Sequence, residues 1–328
     1  MNQIIDYRNY LEKIDKFITN EAHQCLFLGC TEKAVASHSI QKKGPLKKIA
    51  DKGFIYCLDS SLSRSFDVKN QTNSIKFRKT PISQATTFPG FCDDHEKLFH
   101  TFEIPGLDVS DKKHLLYLYY RTLGYEIARQ RMSTKRLEIR LGGLYLSRMV
   151  SHAMGSSEFI AEDEFKEILK IKSKYAEEEL FSLFELTQSY IKSGSVNKLV
   201  HLTLVVPKNL GVACSSCTYI SEEHFSEFRK KYPNEELPTI TFNVVPDDDK
   251  TYIIISWDVK YDRHSTWIRE VFNSQPERIL NDFVFYRSED VCISPRLWND
   301  SASLRELVKE TEHVLGRTHS KTLDVLKI

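Results

Sequence analysis

The sequence predicts an α+β protein with a small zinc-stabilised N-terminal module, a helical middle and an α+β C-terminal domain. Three observations predict it. Two short pairs of metal-type ligands, Cys25-x4-Cys30 and Cys92-x2-His95, bracket a turn-rich stretch. Apolar residues recur at helical spacing through most of 110–194. From Lys198 the pattern changes to β-branched and aromatic runs bounded by turn residues. The boundaries that follow are 1–21 for an N-terminal helix, 22–108 for the zinc module, 109–195 for the helical region and 196–328 for the α+β domain.

Each element has its own signal. Residues 2–20 read as a helix because Ile4, Ile5, Leu11, Ile14, Phe17 and Ile18 recur near helical spacing. Residues 22–105 read as loops and short strands, with 53–58 as one strand and Pro89-Gly90 and Pro105-Gly106 as turns. A module of this kind has little core, so a bound metal supplies folding energy. Residues 111–132 carry Leu115, Leu116, Leu118, Tyr119, Leu123 and Ile127 behind a Ser110 cap. A second helix is expected over 134–154, weakened by Gly142-Gly143, and a third over 161–192, ended by Ser193-Gly194. The runs HLTLVVP, TITFNVVP and TYIIISWDV are strands, the last two forming a hairpin about 246–250. Helices are expected at 221–232, 263–281 and 301–315, and 292–298 reads as a packed loop.

A chain of 328 residues with 41% hydrophobic content has room for two or three domains and a substantial core. Its apolar runs fall short of the roughly 20 residues of a membrane span, and its first residues lack a signal-peptide core, so a cytoplasmic protein is expected. Seven cysteines without a signal peptide argue for reduced thiols, free to bind metal. The net charge is +1, but its distribution is uneven. Between 41 and 79 stand Lys42, Lys43, Lys47, Lys48, Lys52, Arg64, Lys69, Lys76, Arg78 and Lys79 against Asp51, Asp59 and Asp67. Such a patch suits a polyanion, although a basic run is also compatible with a solvated face.

Two pairs of soft or borderline ligands at short spacing are what a tetrahedral Zn²⁺ site needs, so Cys25, Cys30, Cys92 and His95 are the candidate metal ligands. Buried cysteines that serve only the core are the alternative. Cys214-x2-Cys217 lacks a second pair nearby and reads as incidental, while Cys57 and Cys292 read as core. Trp257, Asp258, His264 and Trp267 could line a pocket or form an ordinary strand-to-helix turn. The chain has no GxGxxG, P-loop or GxSxG motif.

The order of a Cys knuckle (CLFLGC), a strand ending in a histidine (SHSIQK) and a distal Cys-x2-His at a helix start (FPGFCDDHEKLFH) resembles the HNH, or ββα-metal, nuclease module. The resemblance covers about 22–105 and extends to a set of bacterial proteins with a treble-clef-like start. It implies a structural zinc on Cys25, Cys30, Cys92 and His95, with His38 as general base and Glu96 and His100 at the places that hold a catalytic Mg²⁺ or Mn²⁺. Lys42, Lys43, Lys47 and Lys48 would hold the nucleic acid. It further implies metal-assisted phosphodiester hydrolysis, with restriction or phage defence as the setting. The chain departs from the family at Ser37, which precedes His38 where an Asp or His is usual, and in lacking a clear counterpart of the central Asn.

Other readings stand beside these. His38 could be a zinc ligand or a packed, hydrogen-bonded histidine. Glu96 suits a solvated helix start, and His100 a surface position. A non-catalytic zinc module that binds nucleic acid or a protein partner is the rival function. A third is an effector whose activity lies in the C-terminal domain.

Overall fold

The computed structural model describes residues 2–59, 61, 66–67, 72–73, 77–142, 162–218, 222–305 and 325–328. Along them run β1 (Ala36–His38), β2 (Phe54–Leu58), β3 (Phe66–Asp67), β4 (Thr72–Asn73), β5 (Phe77–Pro81), β6 (Thr87–Pro89), β7 (Leu199–Val206), β8 (Val212–Thr218), β9 (Ile240–Pro246), β10 (Thr251–Asp258) and β11 (Val291–Ile293). One seven-stranded antiparallel sheet has the order β5-β2-β11-β8-β9-β10-β7. It takes strands from both 22–108 and 196–328. Two small antiparallel pairs, β1 with β6 and β3 with β4, stand outside it.

Side-chain alternation gives this sheet two working faces. On one face Ile240, Phe242 and Val244 of β9 and Ile253, Ile255 and Trp257 of β10 meet the helices Ser265–Ser274 and Pro276–Asp282. On the other, Ile254, Tyr252 and Val245 pack with the long helix Lys112–Gly142. That helix is buried on all sides from His114 to Leu123, which fits a helix running through a core. Thr122 ties it to the sheet, with Oγ1 donating to Asn243 Oδ1 at 3.1 Å. Gly124 is needed where it stands: a Cβ there would meet the Phe91 ring at 3.0 Å and Phe184 at 3.4 Å. A smaller core of Ile40, Leu46, Ile55, Ala85 and Ala213 lies under the segment between β1 and β6.

Several elements differ from the sequence reading. The long helix runs unbroken from Lys112 to Gly142, where two helices were expected. Its first turn is capped by Asp111, whose Oδ1 accepts from the Lys113 amide at 2.7 Å, and not by Ser110. Residues 143–154 of the second expected helix lie outside the described residues. The helix expected over 263–281 breaks at Gln275, because the proline that follows disfavours helical backbone at the residue before it. Residues 292–298 are not a loop but β11 followed by the helix Pro295–Asp300, which Ser294 caps. Cys214 and Cys217 lie inside β8, an odd number of residues apart. They therefore point to opposite faces, into two different cores. Most of the helix expected over 301–315 lies outside the described residues.

Asp290, just before β11, is 5% exposed and accepts a hydrogen bond from Ser39 Oγ. Burial raises its pKa to about 7, against the pull of Ser39 and Arg129; Glu126 adds to the rise. The folded protein therefore keeps a proton that the unfolded chain releases near 4, and stability from this group is lost as pH rises towards 7. Asp290→Asn cannot ionise. Its stability relative to wild type is expected to grow by roughly 2–3 kcal/mol between pH 5 and pH 8. Urea titrations at the two pH values measure this; a difference independent of pH would show that Asp290 does not titrate in that window.

Candidate metal centre

The knuckle around Cys25 and Cys30 is a tight antiparallel turn. Gln24 bridges Lys33, the Cys25 amide donates to Glu32 O at 2.9 Å, and the Cys30 amide donates to Phe27 O at 3.0 Å. Gly29 takes φ +87°, which a side chain would resist, and the turn then delivers Cys30. The second pair comes from the strand-to-helix junction. Cys92 precedes the helix Asp93–Glu96, and the Glu96 amide donates to Cys92 O at 2.8 Å. The Leu26 amide donates to Gly90 O and the Val35 amide to Phe91 O, so the two halves are sewn together by backbone.

The four ligand atoms lie within 4.8 Å of one another. Cys30 Sγ is 3.8 Å from Cys92 Sγ, and Cys25 Sγ is 3.5 Å from His95 Nδ1. Ligands at Zn–S of about 2.3 Å and Zn–N of about 2.0–2.1 Å around a tetrahedral centre stand roughly 3.6–3.8 Å apart. Cys92 Sγ lies closer to His95 Nδ1, at 3.1 Å. The donor set and spacing therefore fit zinc. The His95 ring stacks on Phe27 at 3.9 Å and 13°, which fixes the direction of its nitrogen. Burial lowers the His95 pKa and keeps the ring neutral, as a ligand must be. Burial pushes the Cys25 thiol up to about 12. At Cys92 burial is outweighed by the amides of His95 and Asp94, and the thiol falls below its usual value.

Beside this group lies a strand–strand–helix unit. β1 pairs antiparallel with β6, Ser37 opposite Phe88 and His38 opposite Thr87. The chain then continues through helical turns Asp93–Glu96, Lys97–Phe99 and His100–Glu103. Ser37 clasps strand to helix: its Oγ donates to Glu96 Oε2 at 2.7 Å and accepts from the Phe91 amide at 3.0 Å. His38 lies outside the metal group. Its ring is half-buried and Nε2 has no hydrogen-bond partner among the described residues. Burial lowers its pKa, opposed by a hydrogen bond to the Ile82 backbone and by Glu103, and helped by Lys42 and Arg121. Burial raises the Glu96 pKa, against Arg121 and Ser37. His100 is exposed.

Among the described residues the metal-competent group is Cys25, Cys30, Cys92 and His95. His38, Glu96 and His100 do not form a second one, so a catalytic ion has no ready-made cage there. Lys42, Lys43, Lys47 and Lys48 are exposed on the turn after β1, where Lys48 pairs with Asp247 and Asp248. Arg64, Lys69 and Lys76 lie outside the described residues.

Sequence reasoning overlooked Arg121 and Glu103. Arg121 is 1% exposed, gives Nη2 to Glu103 Oε1 at 2.6 Å and lies over the Phe99 ring at 4.2 Å. The available signal was its isolation as the single charge in 115–125. The chain matches no family model, no curated protein and no solved structure.

Proposed function

We propose that the chain is a zinc-stabilised, HNH-like nuclease acting on nucleic acid. One observation carries the reading: His38 ends β1 of a strand–strand–helix unit, its pKa lowered by burial and its Nε2 enclosed by the protein without a partner among the described residues. A general base in a hydrolase needs that state at neutral pH. His38 Nε2 would take a proton from water, the oxygen would attack phosphorus, and the bond to the leaving oxygen would break as that oxygen takes a proton from solvent. The exposed lysines of 42–48 would hold the backbone of the polyanion. Zinc on Cys25, Cys30, Cys92 and His95 would hold the knuckle to the helix start and take no part in the reaction. The helical region 109–195 and the domain 196–328 would supply target or partner contacts, in a cytoplasmic setting such as phage defence.

The absence of a second metal-competent group among the described residues favours a second reading. In it the same zinc module binds nucleic acid without cutting it. Plasmid DNA and structured RNA incubated with Mg²⁺ or Mn²⁺ separate the two. The nuclease reading expects cleavage that declines only below the ordinary histidine range of about 6.5, because burial lowers the pKa of His38. Retention in a gel shift with no cleavage in either metal leaves the binding module and rejects the nuclease.

A further inference from the structure

A cavity of about 360 Å³ lies between the segment that follows His38 and the C-terminal sheet. That volume is at the lower end of what holds a small ligand. Gln41 and Lys48 line one side, Phe102, Leu107 and Arg121 a second, and Asn243, Val245 and Tyr252 of β9 and β10 the third.

Two deeply buried side chains on these walls carry solvent-shielded donors that have no partner among the described residues. Arg121 spends Nη2 on Glu103, but Nε and Nη1 have no partner among the described residues. Asn243 is 2% exposed; its Oδ1 accepts from Thr122, and its Nδ2 has no partner among the described residues. A buried donor left unmade costs about 1–3 kcal/mol, and more when charged, so native interiors retain few. Here a guanidinium and an amide from different elements line the same cavity. The complement of several donors is a group made of acceptors, and a tetrahedral oxyanion offers the most in the least space. The remaining wall is mainly apolar, with Phe102, Leu107, Val245 and Tyr252. Phe102 is 3% exposed with the Arg121 guanidinium over its ring at 4.9 Å and closes the floor, while the half-buried Tyr252 offers the aromatic face that a planar ring would take. Of the nearby acids, Glu103 is paired with Arg121, Asp247 and Asp248 share Lys48, and Asp108, on the rim, has its carboxylate turned to the Ser110 amide and hydroxyl.

We infer that this cavity binds a mononucleotide-sized phosphate ester, its phosphate on Arg121 and Asn243 and its ring against Phe102, Leu107 and Tyr252. The site does not depend on nucleic-acid cleavage, and binding is read without it. Calorimetric titration of the full chain with AMP, GMP, CMP and UMP, beside adenosine and inorganic phosphate, tests it. At least one mononucleotide is expected to bind with a dissociation constant of roughly 1–100 μM, with adenosine and inorganic phosphate each at least tenfold weaker. Asn243→Asp keeps the shape and the Thr122 bond but replaces the free donor by an acceptor. Leu107→Trp fills the cavity from its half-buried rim. Both are expected to fold, as circular dichroism checks, and to lose at least tenfold in affinity. The proposal is overturned if none of the four mononucleotides binds below 1 mM, if adenosine or phosphate alone binds as well as the nucleotide, or if both folded variants bind like wild type.

Discussion

Cys92→Ser is expected to lose stoichiometric zinc and to unfold the knuckle and the helix start it holds. Structural zinc contributes about 10–16 kcal/mol to the folding of small zinc-finger peptides. The corresponding segment here has some independent support, from the Phe91, Phe99 and Tyr120 ring cluster, so only part of that is at stake. Even about 5 kcal/mol would lower the melting temperature by roughly 7 °C in a chain of this size. Metal analysis, melting curves and hydrogen exchange measure it, with protection lost over 24–35 and 90–100. Asp94→Asn is the control: Asp94 is exposed and paired with Lys97, and its loss should leave the zinc in place. Retention of one zinc per chain by Cys92→Ser would reject the ligand set.

The second large effect is on chemistry. If the nuclease reading holds, His38→Ala is expected to reduce cleavage about 10²–10⁴-fold, the usual contribution of a general base. Zinc content and circular dichroism should not change, since His38 lies outside the metal group and is only half-buried. Those two readouts separate a lost base from a damaged fold. His38→Gln keeps a hydrogen-bonding side chain without a titratable nitrogen and should be equally inactive. Wild-type cleavage in either variant would remove His38 from the mechanism.

The metal centre was legible because its signal is local. Cysteine and histidine at short spacing have few other uses in a reduced protein, and each pair sits at its own turn. The strands β7, β9 and β10 were legible for the same reason, since β-branched runs such as TYIIISW declare themselves. β8 was not. Its sequence VACSSCT has weak strand preference and becomes a strand because β9 and β11 lie on either side of it. Phe283–Arg287 shows the converse, an aromatic run that folds as a helical turn beneath the sheet. The Arg121–Glu103 pair and the cavity that Arg121 borders were illegible because they are assembled by packing across the chain. No periodicity reports that Ser39 will meet Asp290, 251 residues away.

The pairing of β2 with β11 sets Cys57 against Cys292, 235 residues apart. During synthesis at about 5–20 residues per second, β2 emerges roughly 10–50 s before the strand that covers it. Until then its open edge is available to other chains. The four metal ligands, by contrast, are all translated by residue 95. A captured zinc ion would therefore pin both ends of the 36–89 segment while the second edge of β2 still waits for β11. On this view the ion acts as an early clasp on the nascent chain, and zinc starvation should show first as aggregation of newly made protein.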